Sequence, residues 1–467
     1  MTNAIHPGSR IRKLMLGILV LALLMLSAAC ASAASSTTTS QGITFTVSWP
    51  DEIKCGTPVS FRFSSSGGSG QMKYRIHSLM DEDGATVYDQ SYGQNGAYSD
   101  IDHWDFTFCA SGSYRIRFGV MDMSTFAYTT TKYITINISD PAYPSVNAIV
   151  EDITGECRAK GFATQYEQAL WLHDRLLDMC EYDFSYTYCS PEAALARGKG
   201  TCEAYHRALV KLLNKMGIET QRITSWDHVW TGVKLDGEWT QIDATWNDTA
   251  SSNNPDINAQ HLYFGLPGEV MERVHTYREA PADPGTSYER NYYIRSGLID
   301  RYTQRFAPSA LQQLADGKRA FSLPFSGAYA NVLGPLTAYA MHKLPWPGLT
   351  LQCSYTGDAL KGTLDFLFTC TYDFDLILPA GITVIEAEAF MGSTGFDSVK
   401  LPDSCQSIGD RAFAGIANLA IRIPAGVISI GDGAFDAGTV IIGTAGSAAE
   451  VWAAANGCTF WVEQEIQ

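Results

Sequence analysis

Three segments near the C-terminus repeat one another: LPAGITVIEAEAF, LPDSCQSIGDRAF and IPAGVISIGDGAF, starting at residues 378, 401 and 423. Each has proline at its second position, an aliphatic residue six places later (Ile385, Ile408, Ile430) and a closing phenylalanine (Phe390, Phe413, Phe435). A unit this short cannot bury its apolar side alone, so it must stack on its neighbours, one strand per repeat. Residues 375–467 are therefore expected to form a short repeat solenoid with a C-terminal cap. Cys405 stands where Ile382 and Val427 stand in the adjacent repeats, which predicts a buried free thiol.

The repeats take up only the last part of 467 residues, so the chain is multidomain. A formal net charge of −16 without a basic stripe argues against a nucleic-acid partner. Arg10, Arg12 and Lys13 precede the apolar run Leu14–Leu26, and small residues follow, the order of a secretory signal over 1–33. Ala31-Ser32-Ala33 offers a cleavage site. Ser27-Ala28-Ala29-Cys30 competes as a lipidation site, although Leu26 lies one place too early, and an uncleaved anchor is a third reading. All three put the chain outside the cytoplasm, either secreted or at the cell surface. Eleven cysteines in an exported chain favour disulfides. Their pairing stays open, though Cys55 with Cys109 and Cys353 with Cys370 each fall inside one expected module.

Residues 34–40 (ASSTTTS) read as a flexible linker. From 41 to 140, runs such as ITFTVSW, VSFRFS and YRIRFGVMD alternate with glycine-rich turns, predicting an all-β sandwich. That rhythm resembles bacterial immunoglobulin-like or PKD-like surface modules. Helical periodicity begins beyond Pro144: Tyr166, Leu170, Leu172, His173, Leu176 and Leu177 form one stripe of a central α+β domain spanning 145–288. Residues 289–374 mix helical and strand patterns and read as an α/β extension of it.

The stretch RGKGTCEAYHRAL places Cys202 at the start of a strong helix behind a glycine-rich loop. Unpaired N–H groups and the macrodipole there favour a thiolate, and the same N–H groups suit a developing oxyanion. Downstream, HVWTGVKLDGEWTQIDATW reads as two strands around Asp236-Gly237. With that pair as the loop, Trp230 lies opposite Asp243 and His228 opposite Thr245. His228, Trp230, Lys234, Trp239, Gln241 and Asp243 then share one face, and Val229, Val233, Leu235, Ile242 and Ala244 the core face. His228 and Asp243 become diagonal neighbours. The pattern fits a catalytic set in which Cys202 attacks, His228 exchanges the proton and Asp243 orients the ring. His206, one turn after Cys202, suggests a metal pair, but no further ligand spacing completes one. No metal or cofactor is expected. His261 and His275 read as structural, and Trp230 and Trp239 as walls or core.

GKGTCEAYHRAL followed by DHVWTGVKLDGEWTQIDATWND resembles the transglutaminase-like superfamily, a papain-type fold with catalytic Cys, His and Asp in that order. LYFGLPGEVMERVHTY resembles a segment that often follows in bacterial members. The resemblance implies that Cys202, His228 and Asp243 are the triad. Thr231 departs from it, since many members have Asn after the Trp, but Thr231 points to the other face. A side-chain oxyanion donor is not assignable by motif; the tyrosines from Tyr182 to Tyr188 are candidates. Separately, IGDxAF resembles the BspA-type leucine-rich repeat of bacterial surface proteins, and GTAGSAAEVWAAANGCTFWV resembles that family's closing segment.

Two functions follow. One is an exported thiol enzyme acting on peptide or protein amides through an acyl-enzyme on Cys202, with water (protease or amidase) or an amine (cross-linker) as acceptor. The alternative is a surface adhesion or scaffold protein whose transglutaminase-like domain does not turn over. In either, the repeats would present a face to a surface ligand or host protein.

Overall fold

The computed structural model describes residues 33–88, 98–248, 261–316, 318, 320–327, 329–344, 349–356 and 363–463. Residues 1–32, which hold the expected leader up to Ser32 with Cys30, lie outside them, as does the Cys370 side chain; Ala33, the last residue of the expected cleavage site, is the first described. Among the described residues, no helix is long and apolar enough to cross a membrane. The chain divides into two compact units. The first comprises residues 1–222, 228–231 and 243–255, and the second comprises 223–227, 232–242 and 256–467.

The first unit opens with two antiparallel sheets. One has the order β1 (Ala33–Ser40), β2 (Ile43–Pro50), β3 (Pro58–Gly67), β6 (His103–Thr107). The other runs β5 (Thr86–Tyr88), β4 (Met72–Met80), β7 (Gly112–Asp122), β8 (Tyr128–Thr130), with β9 (Ile134–Ile138) also on β7. Strand β2 shows why they share a core: Ile43, Phe45 and Val47 alternate with polar residues and are fully buried. Phe61 of one sheet meets Phe118 of the other at 5.3 Å between ring centres. Residues 34–40 depart from the expected linker, because they form most of β1, paired along its length with β2. The run Thr37-Thr38-Thr39 gives the segment β-branched residues that suit a pleated strand. Thr37 and Thr39 bond across to Thr46 and Thr44 at 2.8 and 3.0 Å.

Two helices follow. α1 (Val146–Ala159) is capped by Ser145, and α2 (Gln165–Met179) by a Thr164–Glu167 capping box. The buried stripe of α2 is Tyr166, Ala169, Leu172, His173, Leu176 and Leu177, so Ala169 is buried and Leu170 is not. The β-rich region and the helical region join through a buried ion pair. Glu192 Oε1 accepts from Arg197 Nη2 at 3.1 Å and from the Cys109 amide at 3.2 Å, while Arg197 donates to Thr107 O at 2.8 Å. Arg197 also lies over the rings of Tyr188 and Phe106. Burial raises the Glu192 carboxyl above its ordinary range, outweighing the attraction of Arg197. Cys55 and Cys109 are both free thiols, although Gly56 N–H and Phe108 O, next to them in sequence, are hydrogen-bonded at 2.8 Å.

In the second unit, the α/β segment contains helices Asp300–Ala315 and Ala330–Lys343. Its antiparallel sheet has the order Ala320–Ser326, Thr363–Tyr372, Leu349–Thr356. The repeats then lay down parallel strands Leu376–Ile377, Ser398–Lys400, Ala420–Ile423 and Val440–Gly443, closed by Thr459–Val462 after helix Ala448–Asn456. A second parallel set is Val384–Ile385, Ser407–Ile408 and Ser429–Ile430. The recurring phenylalanines stack inside: Phe390 on Phe413 at 4.9 Å, Phe413 on Phe435 at 5.6 Å. Cys405 is buried and free.

Two outcomes are expected in urea unfolding. Phe413→Ala removes the middle of the stack and lowers stability by about 3–5 kcal/mol. Arg197→Ala leaves Glu192 buried without its cation and costs about 3–5 kcal/mol, whereas the double variant Glu192→Gln/Arg197→Met recovers part of that loss.

Candidate active site

The loop before Cys202 is built to bring backbone close to a helix. A π-helical turn, Ala193–Arg197, ends at Gly198, whose φ of 76° lies in the left-handed region. The short parallel strands β10 (Glu181–Tyr182) and β11 (Lys199–Gly200) pair Tyr182 with Gly200. A Cβ on Gly200 would lie 2.5 Å from the Cβ of Ala204, so no other residue passes here without displacing the helix. Helix α3 (Cys202–Lys215) then begins with Cys202 itself. Thr201 occupies the cap position but makes no side-chain cap bond; its hydroxyl donates to Cys189 Sγ at 3.4 Å.

The hairpin consists of β13 (Val229–Leu235) and β14 (Glu238–Ile242), neighbours in the sheet order β12 (Thr220–Thr224), β13, β14, β15 (Phe264–Leu266). Asp236 and Gly237 both have positive φ, 49° and 89°, as a type I′ turn requires. The strand does not continue through Ala244 and Thr245 as expected. Asp243 instead caps a short helix, α4 (Ala244–Asn247), its Oδ1 accepting the Trp246 amide at 3.0 Å. An aspartate side chain offered to the next free amides competes with the ladder, and here it ends it. The other oxygen, Oδ2, takes His228 Nε2 at 2.7 Å.

His228 is thus bound by a fully buried carboxylate, and Cys202 acts electrostatically on the same ring. Burial acts to lower its pKa, but the Asp243 charge and hydrogen bond, with Cys202, hold it up at about 10. The ring stacks on Trp230 at 6.0 Å and meets Trp246 at 5.9 Å. All three residues singled out from the sequence, Cys202, His228 and Asp243, are therefore brought together within the first unit.

Other candidates behave differently. His206 is buried, and its Nδ1 bonds the Thr231 hydroxyl at 2.9 Å. Burial, with Arg222 and Arg207 nearby, lowers its pKa to about 3, so it is a neutral imidazole. Among the described residues, Cys202 and His206 belong to no metal-ligating group. Thr231, the departure from the family pattern, is the partner that His206 uses. Trp230 is core, Trp239 is half-buried, and His261 stacks on Tyr292 at 4.1 Å.

Sequence reasoning missed the supports behind the site. The Asn247 side chain bonds His173 Nε2 at 3.0 Å, and the Tyr205 hydroxyl, one turn along α3 from Cys202, donates to Asp248. The two bonds fasten the turn after Asp243 to α2 and to the cysteine helix. The polar residues closing DATWND were the signal. The buried His173 in an apolar stripe was its counterpart.

Residues 147–244 match the transglutaminase-like superfamily, a span that includes all three residues. Residues 365–442 match the BspA type leucine-rich repeat region, six copies, starting within strand Thr363–Tyr372 and so ahead of the boundary expected at 375. A solved structure described as the crystal structure of a TGase is similar at 12% identity and a TM-score of 0.20. The likeness covers 25% of this chain and 40% of that one. No curated protein matches the chain.

The raised pKa of His228 gives a direct expectation. In NMR titration its ring should hold its proton through neutrality and release it near pH 10. Asp243→Asn should move that transition down toward the ordinary imidazole range near 6.5. An unshifted transition in the variant would show that Asp243 does not set it.

Proposed function

We propose that the transglutaminase-like region of this chain is a thiol enzyme that acts on peptide or protein amides through an acyl-enzyme at Cys202. The observation that carries this reading is the His228 ring bonded to the Asp243 carboxylate at 2.7 Å, with Cys202 acting electrostatically on the same ring. In the proposed cycle, the Cys202 thiolate attacks the amide carbon and a C–S bond forms. The C–N bond then breaks, and the amine departs with the proton of the His228 imidazolium. The amide groups at the first turn of α3 are the donors that would stabilise the oxyanion as it develops. In the second half, His228 takes a proton from water or from an amine, which attacks the thioester and frees the sulfur. Asp243 keeps the ring oriented throughout, because its second oxygen is anchored by the α4 amide.

Hydrolysis and transamidation share these steps and differ only in acceptor. With the enzyme reading go a β-sandwich over 41–140, a catalytic domain over 145–288 and a repeat solenoid over 375–467. The repeats would present a binding face on an exported or surface-held bacterial protein. Support for that placement comes from the match to BspA-type repeats.

Two measurements test the reading. Iodoacetamide should alkylate Cys202 in the reduced, folded protein, and His228→Ala should slow that reaction at pH 7 by about 10²-fold or more. Incubation with a mixed peptide and amine library, followed by intact-mass analysis, should give either cleaved peptides or amine joined to glutamine. Unreactive Cys202 together with unchanged peptides would leave a non-catalytic scaffold.

A further inference from the structure

The segment from Asp183 to Tyr188 is fastened at both ends to the two residues before Cys202. The Asp183 amide donates to Gly200 O at 2.9 Å, and the Thr201 amide donates to Tyr188 O at 2.8 Å. Inside the loop, the fully buried Asp183 carboxylate acts as a hub. It accepts from the Ser185 amide at 3.0 Å, the Ser185 hydroxyl at 2.6 Å, the Thr187 amide at 2.9 Å and the Tyr188 amide at 3.1 Å. Lys199 lies 3.7 Å from the same carboxylate. Tyr186 takes a left-handed conformation, φ 55°, which is uncommon for a non-glycine residue.

A loop so thoroughly braced would be expected to turn its aromatic side chains inward. Instead Phe184 is 66% exposed and Tyr186 is 48% exposed. Both rings gather edge-on around Tyr182, at 5.0 and 6.3 Å, and Tyr182 is paired in register with Gly200. The result is an apolar cluster on a hydrogen-bonded loop, hung on the backbone that leads into Cys202. Preorganisation of this kind removes an ordering cost from binding. Its position next to Cys202, rather than elsewhere on the surface, picks the occupant: a part of the molecule whose amide reaches the sulfur.

We infer that Phe184 and Tyr186 form a subsite for an aromatic or large aliphatic side chain flanking the reacting amide of a peptide substrate. The inference rests on the thiol-enzyme reading and narrows its substrate class to peptides bearing such a residue beside the acyl group. Edge-to-face contact with the two rings, plus the area they remove from water, supplies the preference.

The test uses the full chain and two peptidyl chloromethyl ketones that differ only in carrying Phe or Ala at the flanking position. Cys202 alkylation rates are normalised to iodoacetamide, which has no side chain to seat. The wild-type protein should react about tenfold or more faster with the Phe probe. Phe184→Ala/Tyr186→Ala should bring the two rates within about twofold, and Phe184→Leu should keep most of the preference. Equal rates in the wild-type protein, or a preference retained by the double alanine variant, would overturn the subsite while leaving the enzyme reading intact. Failure of every probe to alkylate Cys202 would overturn both. A thermal melt matched to wild type shows that the double variant is folded.

Discussion

Two oxygens of one carboxylate carry the local architecture. Asp243 gives Oδ1 to the amide of Trp246 and Oδ2 to the ring of His228, and is itself fully buried. A carboxylate in that setting is acceptable only because both oxygens have strong donors. The cap ends β14 and starts α4. The start of α4 places Asn247 on His173 and Asp248 on Tyr205, so the same residue that orients the imidazole also fastens its surroundings to the helix that begins with Cys202. Were Asp243 an ordinary strand residue, its side chain would have kept the freedom that the α4 cap removes.

The approach to Cys202 depends on an equally local constraint. Gly200 lets the chain run against Ala204, and the loop from Asp183 to Tyr188 is strapped to that same passage. The buried pair Glu192–Arg197 holds the π-helical turn just upstream and ties it to Thr107 and Cys109 of the β-rich region. The N-terminal strands are therefore part of the compact unit that holds Cys202, His228 and Asp243, not a spacer set apart from it.

Electrostatics divides the two histidines near Cys202 although both are largely buried. His228 gains a carboxylate, with Cys202 adding to the effect, and is held protonated toward pH 10, while His206 has a hydroxyl partner and nearby arginines and stays neutral. Burial pushes both in the same direction, so the partner decides the charge.

Much was legible in the sequence because it was written in short-range patterns. The Cys202 helix start, the Asp236-Gly237 turn, the alternation in β2 and the phenylalanine spacing of the repeats each follow from period and backbone preference within a few residues. Those patterns placed His228 and Asp243 near each other on one ribbon. Three features needed the folded chain. Residues 34–40 are soluble and small enough to read as linker, and only an available edge on β2 made them a strand. Whether Asp243 prolongs a ladder or caps a helix depended on which donors the surrounding packing left free. The third is the exposure of Phe184 and Tyr186 on a braced loop beside Cys202. The loop is set both by bonds within it from Asp183 and by ties to Gly200 and Thr201 farther along the chain, and no local period encodes which aromatic ring faces water.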